Sequence, residues 1–291
     1  MTDEEPSPVK AARLAAEGQA REDAGDTAGA EAAYRSALAL APDWSVPYFN
    51  VGLICKYTGR WEESFDFNRR AAELAPDDMG AWWNLGIAAT ALGRWRDARR
   101  AWQQCGVADP GGSDPPDYRL GRVALRLDPA GAGEVVWGTR LDPARSRIEN
   151  IPLPSSDYRF DDIILNDGAI EGERIVDGVK YGVFNVLQRL VPSEMRTFVI
   201  ELASVDAAAV ADLMRIAGDL GGSAENWGES TRILCRECSY GAPHVHDDNA
   251  ESPAHPHCGL AAPSPAVAKT IIDRWLESSE TADLVTWYER E

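Results

Sequence analysis

The first third of the chain, residues 11–112, carries hydrophobic residues at the three- and four-residue spacing that predicts amphipathic helices. Proline and glycine interrupt this pattern at a fixed interval. Pro42, Pro76 and Pro110 lie 34 residues apart. The same interval separates the members of two glycine sets, Gly18, Gly52, Gly86 and Gly25, Gly59, Gly93. A repeat of this length predicts stacked helix–turn–helix units, which bury their apolar faces only against one another.

Bulky and small residues occupy fixed places within each unit. The third unit has Trp82, Leu85, Gly86, Ala98 and Trp102 in those places. The second unit has Tyr48, Val51, Gly52 and Ser64, with Asn68 where an aromatic residue is usual. The first unit has Leu14, Gly18, Ala30 and Tyr34, with Glu17 and Arg21 where apolar residues are expected. These positions resemble the tetratricopeptide repeat, in three copies spanning residues 11–44, 45–78 and 79–112. Residues 1–10 are expected to form a disordered tail.

The resemblance also implies a binding surface. In this family the first helix of each repeat lines a concave groove that holds a protein or peptide segment. The lining positions correspond here to Gln19, Glu22, Phe49, Asn50, Leu53, Tyr57, Trp83, Asn84 and Ile87. The two asparagines could hydrogen-bond an extended peptide backbone, or they could cap neighbouring turns. Family members that bind an acidic C-terminal peptide use several Lys and Arg residues, whereas here only Lys56 is nearby, so such a ligand is disfavoured.

The pattern changes after a linker at residues 113–117, where helical spacing gives way to alternation. The strands predicted from this alternation are 120–127, 134–141, 146–153, 160–165, 173–176, 178–187 and 197–203, the first two as a hairpin. Asp206 and Ser264 are predicted to cap two helices, the second running from Pro265 to Ser278. Residues 118–291 are therefore predicted to form an α+β domain, whose β-rich part faintly resembles uncharacterised bacterial domains. The predicted fold class is multidomain, an all-α solenoid followed by this α+β domain.

Composition narrows the classes of partner. The chain has 291 residues, a formal net charge of -18 and a pI near 4.6. Nucleic acid is excluded as an expected partner, because affinity for phosphates comes from clustered Lys and Arg. The acidic first residues do not resemble a signal peptide, and no apolar run approaches the length of a membrane span. We therefore expect a cytoplasmic protein that does not enter a membrane; the oligomeric state stays open.

Metal-binding side chains concentrate between residues 235 and 258. The candidate ligands are Cys235, Cys238, His244, His246, His255 and Cys258. Zinc prefers thiolates and neutral imidazoles, and a CxxC motif places two sulfurs on one tight turn. Because this stretch has little apolar surface to bury, a bound metal would explain how it becomes ordered. The sequence predicts zinc as cofactor, with a redox pair or solvated histidines as alternatives.

Two ligand sets could complete a site with Cys235 and Cys238. In a zinc-ribbon layout, His255 and Cys258 form a second turn that resembles the CxxC turn. In a compact layout, His244 and His246 supply the remaining ligands instead. His257 is the histidine least suited to the site, because side chains of neighbouring residues rarely converge on one tetrahedral ion. The sequence alone leaves both layouts open.

The function predicted from these features is a cytoplasmic protein-interaction adaptor, with a repeat groove that binds a protein or peptide and a zinc-stabilised C-terminal domain. The alternative is a metal-dependent, hydrolase-like enzyme acting on a protein or peptide recruited by the repeats. In that case His244, His246, Asp247 and Asp248 could supply the metal ligands and a carboxylate base for an activated water. Two thiolates on the metal would reduce its Lewis acidity. No nucleophile elbow or phosphate-binding loop occurs in the sequence, and we assign no catalytic residue.

Overall fold

The computed structural model describes residues 6–112, 114–129, 133–176, 178–228 and 257–290. The chain divides into two compact units, Met1–Tyr118 and Arg119–Glu291. Each unit has its own hydrophobic core, the first helical and the second rich in strands. Among the described residues, no helix has the length and apolar content needed to cross a bilayer.

Six helices in three antiparallel pairs build the first unit. They are α1 (Ser7–Asp23), α2 (Thr27–Leu40), α3 (Ser45–Tyr57), α4 (Trp61–Leu74), α5 (Met79–Ala91) and α6 (Trp95–Gln104). Gly25, Gly59 and Gly93 lie in the turns within the pairs and have positive φ, a conformation that residues with a Cβ rarely adopt. Helix α1 begins at Ser7, inside the segment expected to be a disordered tail. Pro8 in its first turn suits a helix start, where no backbone donor is needed.

The two helices of each pair approach closely at a glycine of the first helix. A Cβ added to Gly18 would lie 2.6 Å from the ring of Tyr34, and one added to Gly86 would lie 2.5 Å from the ring of Trp102. In the second pair Asn68 takes the place of the aromatic residue, and its Nδ2 donates to the Ser64 carbonyl oxygen at 2.8 Å. Small residues at this position let a bulky partner fill the space between the helices.

A closed five-stranded barrel begins the second unit. Its strands are β1 (Arg122–Arg126), β2 (Val135–Arg140), β3 (Arg145–Ile148), β4 (Ile163–Val176) and β5 (Val179–Val191). Neighbours in chain order pair antiparallel, and β1 closes the barrel by pairing parallel with β5. The predicted hairpin of β1 and β2 is confirmed. The separately predicted strands 160–165 and 173–176 are wrong, because β4 is one long strand whose register with β5 shifts at irregularities between Ile163 and Glu173.

In the described residues after the barrel, a four-stranded antiparallel sheet packs with two helices. Its strands are β6 (Arg196–Leu202), β7 (Ser223–Asn226), β8 (His257–Ala262) and β9 (Leu284–Glu289), in the spatial order β7-β8-β6-β9. Helix α7 (Ala207–Asp219) is capped by Asp206, and α8 (Pro265–Ser278) by Ser264, as predicted. Sequence analysis missed β7, β8 and β9. β7 reads SAEN and β8 reads HCGLAA, and both contain few of the β-branched residues that mark a strand.

The two faces of this sheet have different neighbours. On one face Phe198, Ile200 and Leu260 pack with the buried sides of α7 and α8, including Trp275. On the other face Val199, Ala261 and Trp227 pack with Ile151 and nearby apolar residues of the chain between β3 and β4. The Trp227 indole Nε1 donates to the Ile151 carbonyl oxygen at 2.8 Å. Both faces of the sheet are therefore occupied at its centre.

Candidate functional site

The predicted groove residues lie on α1, α3 and α5, and the structure places them in two environments. Tyr57 is 58% exposed, and Phe49, Asn50, Leu53 and Trp83 are partly buried. Asn84 is only 6% exposed and Ile87 is fully buried. From Ala81 to Thr90, every residue of α5 except Trp83 is buried in the intact chain. The accessible part of the predicted groove therefore belongs mainly to the second repeat.

Asn84 is engaged inside the repeat unit. Its Oδ1 accepts a hydrogen bond from Lys56 Nζ at 3.1 Å, which joins α5 to α3. Lys56 is only 4% exposed, and its ammonium also lies 4.3 Å from the ring centroid of Tyr57. A buried ammonium requires such partners, because an unpaired charge away from water is very costly. The lysine nearest the groove is thus committed to internal contacts, and so is one lone pair of the Asn84 amide oxygen.

The first repeat contributes acidic groups to this side of the unit. Gln19 donates to Asp23 Oδ1 at 3.0 Å, and the hydroxyl of the buried Tyr34 donates to Glu22 Oε2 at 3.0 Å. Burial raises the pKa of Tyr34, and the bond to Glu22 raises it further, while Asn50 acts in the opposite direction. Tyr34 therefore remains a neutral donor at physiological pH. Glu22 and Asp23 place two carboxylates on α1, next to the predicted groove residues of the first repeat.

Aromatic rings support the groove at the third repeat. The rings of Trp83 and Trp102 meet edge to face, with their centroids 5.2 Å apart. Among the described residues, no acceptor pairs with the Trp83 indole Nε1, which is itself buried. Leaving a buried donor without an acceptor costs roughly 1–3 kcal/mol. Trp83 thus combines a fixed ring position with an unsatisfied donor.

No protein-family model matches this chain, and no curated protein matches it. Solved structures similar to its N-terminal part include the TPR domain of Sgt2 from Aspergillus fumigatus, with 25% identity, 36% of this chain and 70% of that one covered, and a TM-score of 0.31. The TPR2B domain of yeast Sti1 in its pHsp70 complex is 21% identical, with 33% and 77% covered and a TM-score of 0.31. The second TPR of Spaghetti (RPAP3), bound to the HSP90 peptide SRMEEVD, is 19% identical, with 33% and 88% covered and a TM-score of 0.31.

The repeat architecture of the first unit is evident from the arrangement of its own helices. Three antiparallel pairs follow one another at an interval of 34 residues, with a close glycine contact in each pair and a glycine of positive φ in each turn. These are the features of tetratricopeptide repeats. The N-terminal third of the chain has the architecture of three tetratricopeptide repeats, and the resemblance found in the sequence is confirmed.

The predicted metal ligands are only partly within the described residues. Cys235, Cys238, His244, His246 and His255 lie outside them. Cys258 lies in β8, where Ile200 of β6 and Asn226 of β7 are its register partners. The second turn of the predicted zinc-ribbon layout is therefore wrong at Cys258-Gly259, because both residues belong to a strand paired on both sides.

One group of potential ligand atoms exists among the described residues, formed by Glu31, Cys55 and Glu63. Two arginines already occupy its carboxylates. Arg60 Nη2 lies 2.5 Å from Glu31 Oε2, and Arg35 Nη2 lies 2.6 Å from Glu63 Oε2. Burial raises the pKa of the Cys55 thiol to about 11, so the thiol is protonated at neutral pH. This group is an ion-pair network that joins the first two repeats, and the sequence pattern gave no sign of it.

Proposed function

We propose that the protein is a cytoplasmic protein-interaction adaptor whose repeat unit binds an extended segment of a partner protein. The single observation that carries this proposal is the accessible aromatic surface on α3, where Tyr57 is 58% exposed beside the partly buried Phe49 and Leu53. Aromatic side chains in such positions are frequent anchors of protein interfaces, because they bury a large area with little loss of side-chain entropy.

The charges around this surface indicate the chemistry of the segment. Glu22 and Asp23 lie at the first repeat, and Lys56 is buried against Asn84. An acidic segment would meet like charges at one end, and Lys56, the lysine nearest this surface, is buried against Asn84. The HSP90 peptide SRMEEVD, which the Spaghetti TPR binds, is acidic. We therefore propose a different class of ligand here, an apolar or aromatic segment with a Lys or Arg at the end that meets α1.

Trp83 adds a directional element to the proposed surface. Its buried indole N–H pairs with no acceptor among the described residues. A backbone carbonyl of a bound segment would accept a hydrogen bond from this donor. Because the donor is buried, the segment would have to displace the atoms that cover it. Because the ring of Trp83 is held against Trp102, the donor has a fixed direction. Such a bond would favour an extended backbone over a helix, whose carbonyls are already paired.

Peptide display on the purified full chain, followed by affinity measurement, tests this function. We expect selected peptides to be apolar with one basic end. Tyr57→Ala should weaken their binding by roughly 1–2 kcal/mol, the loss typical of an interface anchor. Trp83→Phe keeps a ring and removes the N–H, and it should weaken binding by less. Leu276→Ala, at an exposed apolar position of α8, serves as the control and should leave binding unchanged. If the peptides bound wild type and Tyr57→Ala with equal affinity, the proposed binding surface on α3 would be refuted.

We also propose that zinc stabilises the second unit, with Cys235 and Cys238 as ligands and His244, His246, His255 and Cys258 as candidates for the remainder. The support comes from the ligand chemistry of the sequence and from the ends of this segment. β7 and β8 are paired neighbours, and the Trp227 backbone N–H donates to the His257 carbonyl oxygen at 3.3 Å. The segment therefore leaves and re-enters the sheet at one place. A metal that crosslinks two distant points of a chain reduces the entropy lost on folding.

Elemental analysis and a chelator test the zinc proposal. We expect one zinc per chain, and we expect chelation to lower the melting temperature of the second unit while the helical signal of the repeats persists. Structural zinc contributes on the order of 10 kcal/mol in small domains, so the effect should be large. Protein purified without metal and equally stable in chelator would end this part of the proposal, without affecting the groove.

A further inference from the structure

An aromatic ring fills the junction between the first and second repeats. The ring of Phe67 on α4 lies 6.0 Å from that of Tyr48 on α3, centroid to centroid. The Arg35 guanidinium of α2 lies 4.7 Å from the Phe67 centroid, and Arg35 Nη2 also pairs with Glu63 Oε2 of α4 at 2.6 Å. Phe67 therefore contacts both a second ring and a cation, and both contacts are favourable for an aromatic side chain.

The junction between the second and third repeats lacks this ring. The repeat interval of 34 residues places Ala101 of α6 at the position of Phe67, and the side chain of Ala101 ends at Cβ. A cavity of about 220 Å³ lies at this junction, between α4, α5 and α6. Sites for small-molecule ligands usually have about 300–1,000 Å³, so this junction cavity has the size for a single side chain. Its lining includes Arg69, Trp82, Leu85, Asp97 and Arg100.

The walls of the junction cavity correspond to the surroundings of Phe67. The equivalent residues in the first and second junction are Arg35 and Arg69, Tyr48 and Trp82, and Glu63 and Asp97. A cation, an aromatic ring and a carboxylate are therefore found at both places. The difference is that a ring of the chain itself fills the first junction, whereas the corresponding space in the second is open.

The charged groups that line the junction cavity are not tied to each other. Arg35 and Glu63 join α2 to α4, but their counterparts do not join α4 to α6. Among the described residues, Arg69 pairs with Asp66 of its own helix at 3.2 Å, and Asp97 forms no ion pair. Both side chains of the Arg69 pair are more than half exposed, at 55% and 63%, so the pair is weak. The Arg69 guanidinium can leave it for a ring in the cavity at little cost.

Trp82 provides a wall that is fixed before any ligand binds. It is 8% exposed, and its Nε1 donates to the Pro76 carbonyl oxygen at 2.9 Å. The Arg100 guanidinium lies 5.8 Å from the Trp82 ring centroid, and in the part of the chain that the structure describes it forms no ion pair. An aromatic ligand would gain contacts with the Trp82 ring and with a guanidinium, whereas an aliphatic side chain would gain only the burial of its surface.

We propose that the junction cavity binds one aromatic side chain of a partner protein, in contact with the Trp82 ring and the Arg69 guanidinium. The bound ring takes the place that Phe67 has in the first junction. The site goes beyond the proposed groove, since it is built by α4 and α6 with one face of α5 and does not include Tyr57. A second copy of this chain is a poor source of the ring, because each copy carries a formal net charge of -18.

Nuclear magnetic resonance of the full chain tests the cavity directly. The indole N–H signal of Trp82 is assigned from its loss in Trp82→Phe. N-acetylphenylalanine amide is then titrated into the protein, with N-acetylleucine amide as the aliphatic control. We expect only the aromatic probe to shift the Trp82 signal, and to do so with saturation. Equal shifts with both probes, or no shift with either, would overturn the aromatic site.

Ala101→Phe supplies the missing ring from within the chain. It should fill the cavity as Phe67 fills the first junction, keep the melting temperature at or above that of wild type, and abolish the shift of the Trp82 signal. Ala12→Phe, at an exposed position of α1, is the matched control and should retain the wild-type shift. A folded Ala101→Phe variant that binds the probe with wild-type affinity would show that the site lies elsewhere.

Arg69→Gln tests the cation and keeps the proposal testable if Ala101→Phe does not fold. It changes an exposed side chain and should weaken probe binding roughly two- to fivefold, the size of an accessible cation–π contact. Arg70→Gln, on the same helix and outside the cavity lining, should leave probe binding unchanged. Equal probe affinity of wild type and Arg69→Gln would contradict the proposed contact with the guanidinium.

Peptide display on the full-chain Tyr57→Ala variant separates this site from the groove. Selected peptides should contain an aromatic residue whose replacement by leucine abolishes binding, and Ala101→Phe should no longer bind them. No enrichment, or peptides that bind Ala101→Phe as tightly as wild type, would overturn the docking site and leave the groove proposal untouched. Analytical ultracentrifugation tests the other source of the ring. Wild type that self-associates, together with Ala101→Phe that is monomeric, would overturn the assignment to a partner protein.

Discussion

The two units of this protein differ in how far apart in sequence their stabilising contacts lie. In the repeat unit each helix packs with the next one along the chain, as α1 does with α2 and α3 with α4. In the second unit the sheet joins β6 to β8 across α7 and the long segment before β8, and the barrel closes between β1 and β5. Local contacts leave a periodic trace in the sequence, whereas distant ones leave almost none.

This difference predicts that the two units respond differently to destabilising substitutions. A repeat unit behaves as a series of neighbouring pairs, so a defect in one pair weakens mainly that pair and its neighbours. A sheet covered by two helices has one shared core, so a defect there affects the whole layer. Four substitutions test this difference between the two units.

Trp275→Ala should have the largest effect. Trp275 is fully buried between α8 and the sheet, and its Nε1 donates to the Ala209 carbonyl oxygen of α7 at 2.7 Å. Truncating a buried tryptophan costs roughly 3–5 kcal/mol. Calorimetry should show the transition of the second unit shifted strongly downward, with that of the repeats unchanged. Leu276→Ala, at the exposed neighbouring position, should leave both transitions in place. An equal shift of both units in Trp275→Ala would contradict their independence.

Gly86→Ala should destabilise the repeats by a smaller amount. The added methyl group would lie 2.5 Å from the Trp102 ring, and moving this buried ring costs roughly 1–3 kcal/mol. Gly218→Ala in α7 is the matched change in the second unit, because nothing lies within 4 Å of the added group. There the substitution should be neutral or stabilising by roughly 0.4–1 kcal/mol. Chemical denaturation followed by helical circular dichroism measures both. Destabilisation by Gly218→Ala alone would refute the packing argument.

Asn68→Leu should stabilise the second repeat. Asn68 occupies the place that Tyr34 and Trp102 fill in the other repeats, and its buried Oδ1 accepts no hydrogen bond from the described residues. Replacing the amide by an apolar side chain of similar size should remove a penalty of roughly 1 kcal/mol. Asn68→Ala, which leaves a cavity, should be destabilising, and a Leu variant no more stable than the Ala variant would contradict this account.

The ion-pair network of the first two repeats should have the smallest effect and a defined pH dependence. The hydrogen bond from Arg60 lowers the pKa of Glu31 below the ordinary glutamate value of 4.5. The bond from Arg35 lowers it further, while burial acts to raise it. The folded-state pKa is depressed, so the stabilisation is fully present above about pH 4.5 and is lost as pH falls through the folded-state value. Glu31→Gln should remove this dependence. Surface ion pairs contribute under about 1 kcal/mol. The melting temperatures of wild type and Glu31→Gln, measured from pH 6 to pH 3, should therefore differ only slightly. If wild type and Glu31→Gln showed the same dependence of melting temperature on pH, the ion-pair network would make no contribution to stability.

The sequence predicted α7 and α8, the two helices that the structure describes in the second unit, together with their caps, because a cap is a local signal. Asp206 accepts from the Ala209 N–H at 2.9 Å, and Ser264 from the Val267 N–H at 3.2 Å. It also predicted the hairpin of β1 and β2, whose residues are close in the chain. The short strands β7 and β8 escaped detection. Their place in the sheet depends on partners far away in sequence, and not on their own composition.

The groove shows the same division. Its residue types and their 34-residue spacing were legible in the sequence, since each repeat obeys the same local rule. The sequence did not reveal that Lys56 is buried against Asn84, nor that Ile87 is inaccessible. Those facts depend on the packing of α5 within the folded chain. Consequently, not all of the nine predicted groove positions are accessible in the folded chain.

Spacing and side-chain chemistry were enough to predict the repeat architecture, the helix caps and the residue types that could hold zinc. The face of the sheet that each residue occupies became known only from the packing of the folded chain. His257 and Cys258 are neighbours in the sequence, yet strand alternation places them on opposite sides of a sheet. One lies opposite Glu201, and the other lies in an apolar core. The physical reason is that a strand acquires its inside and outside only from the elements that pack against it.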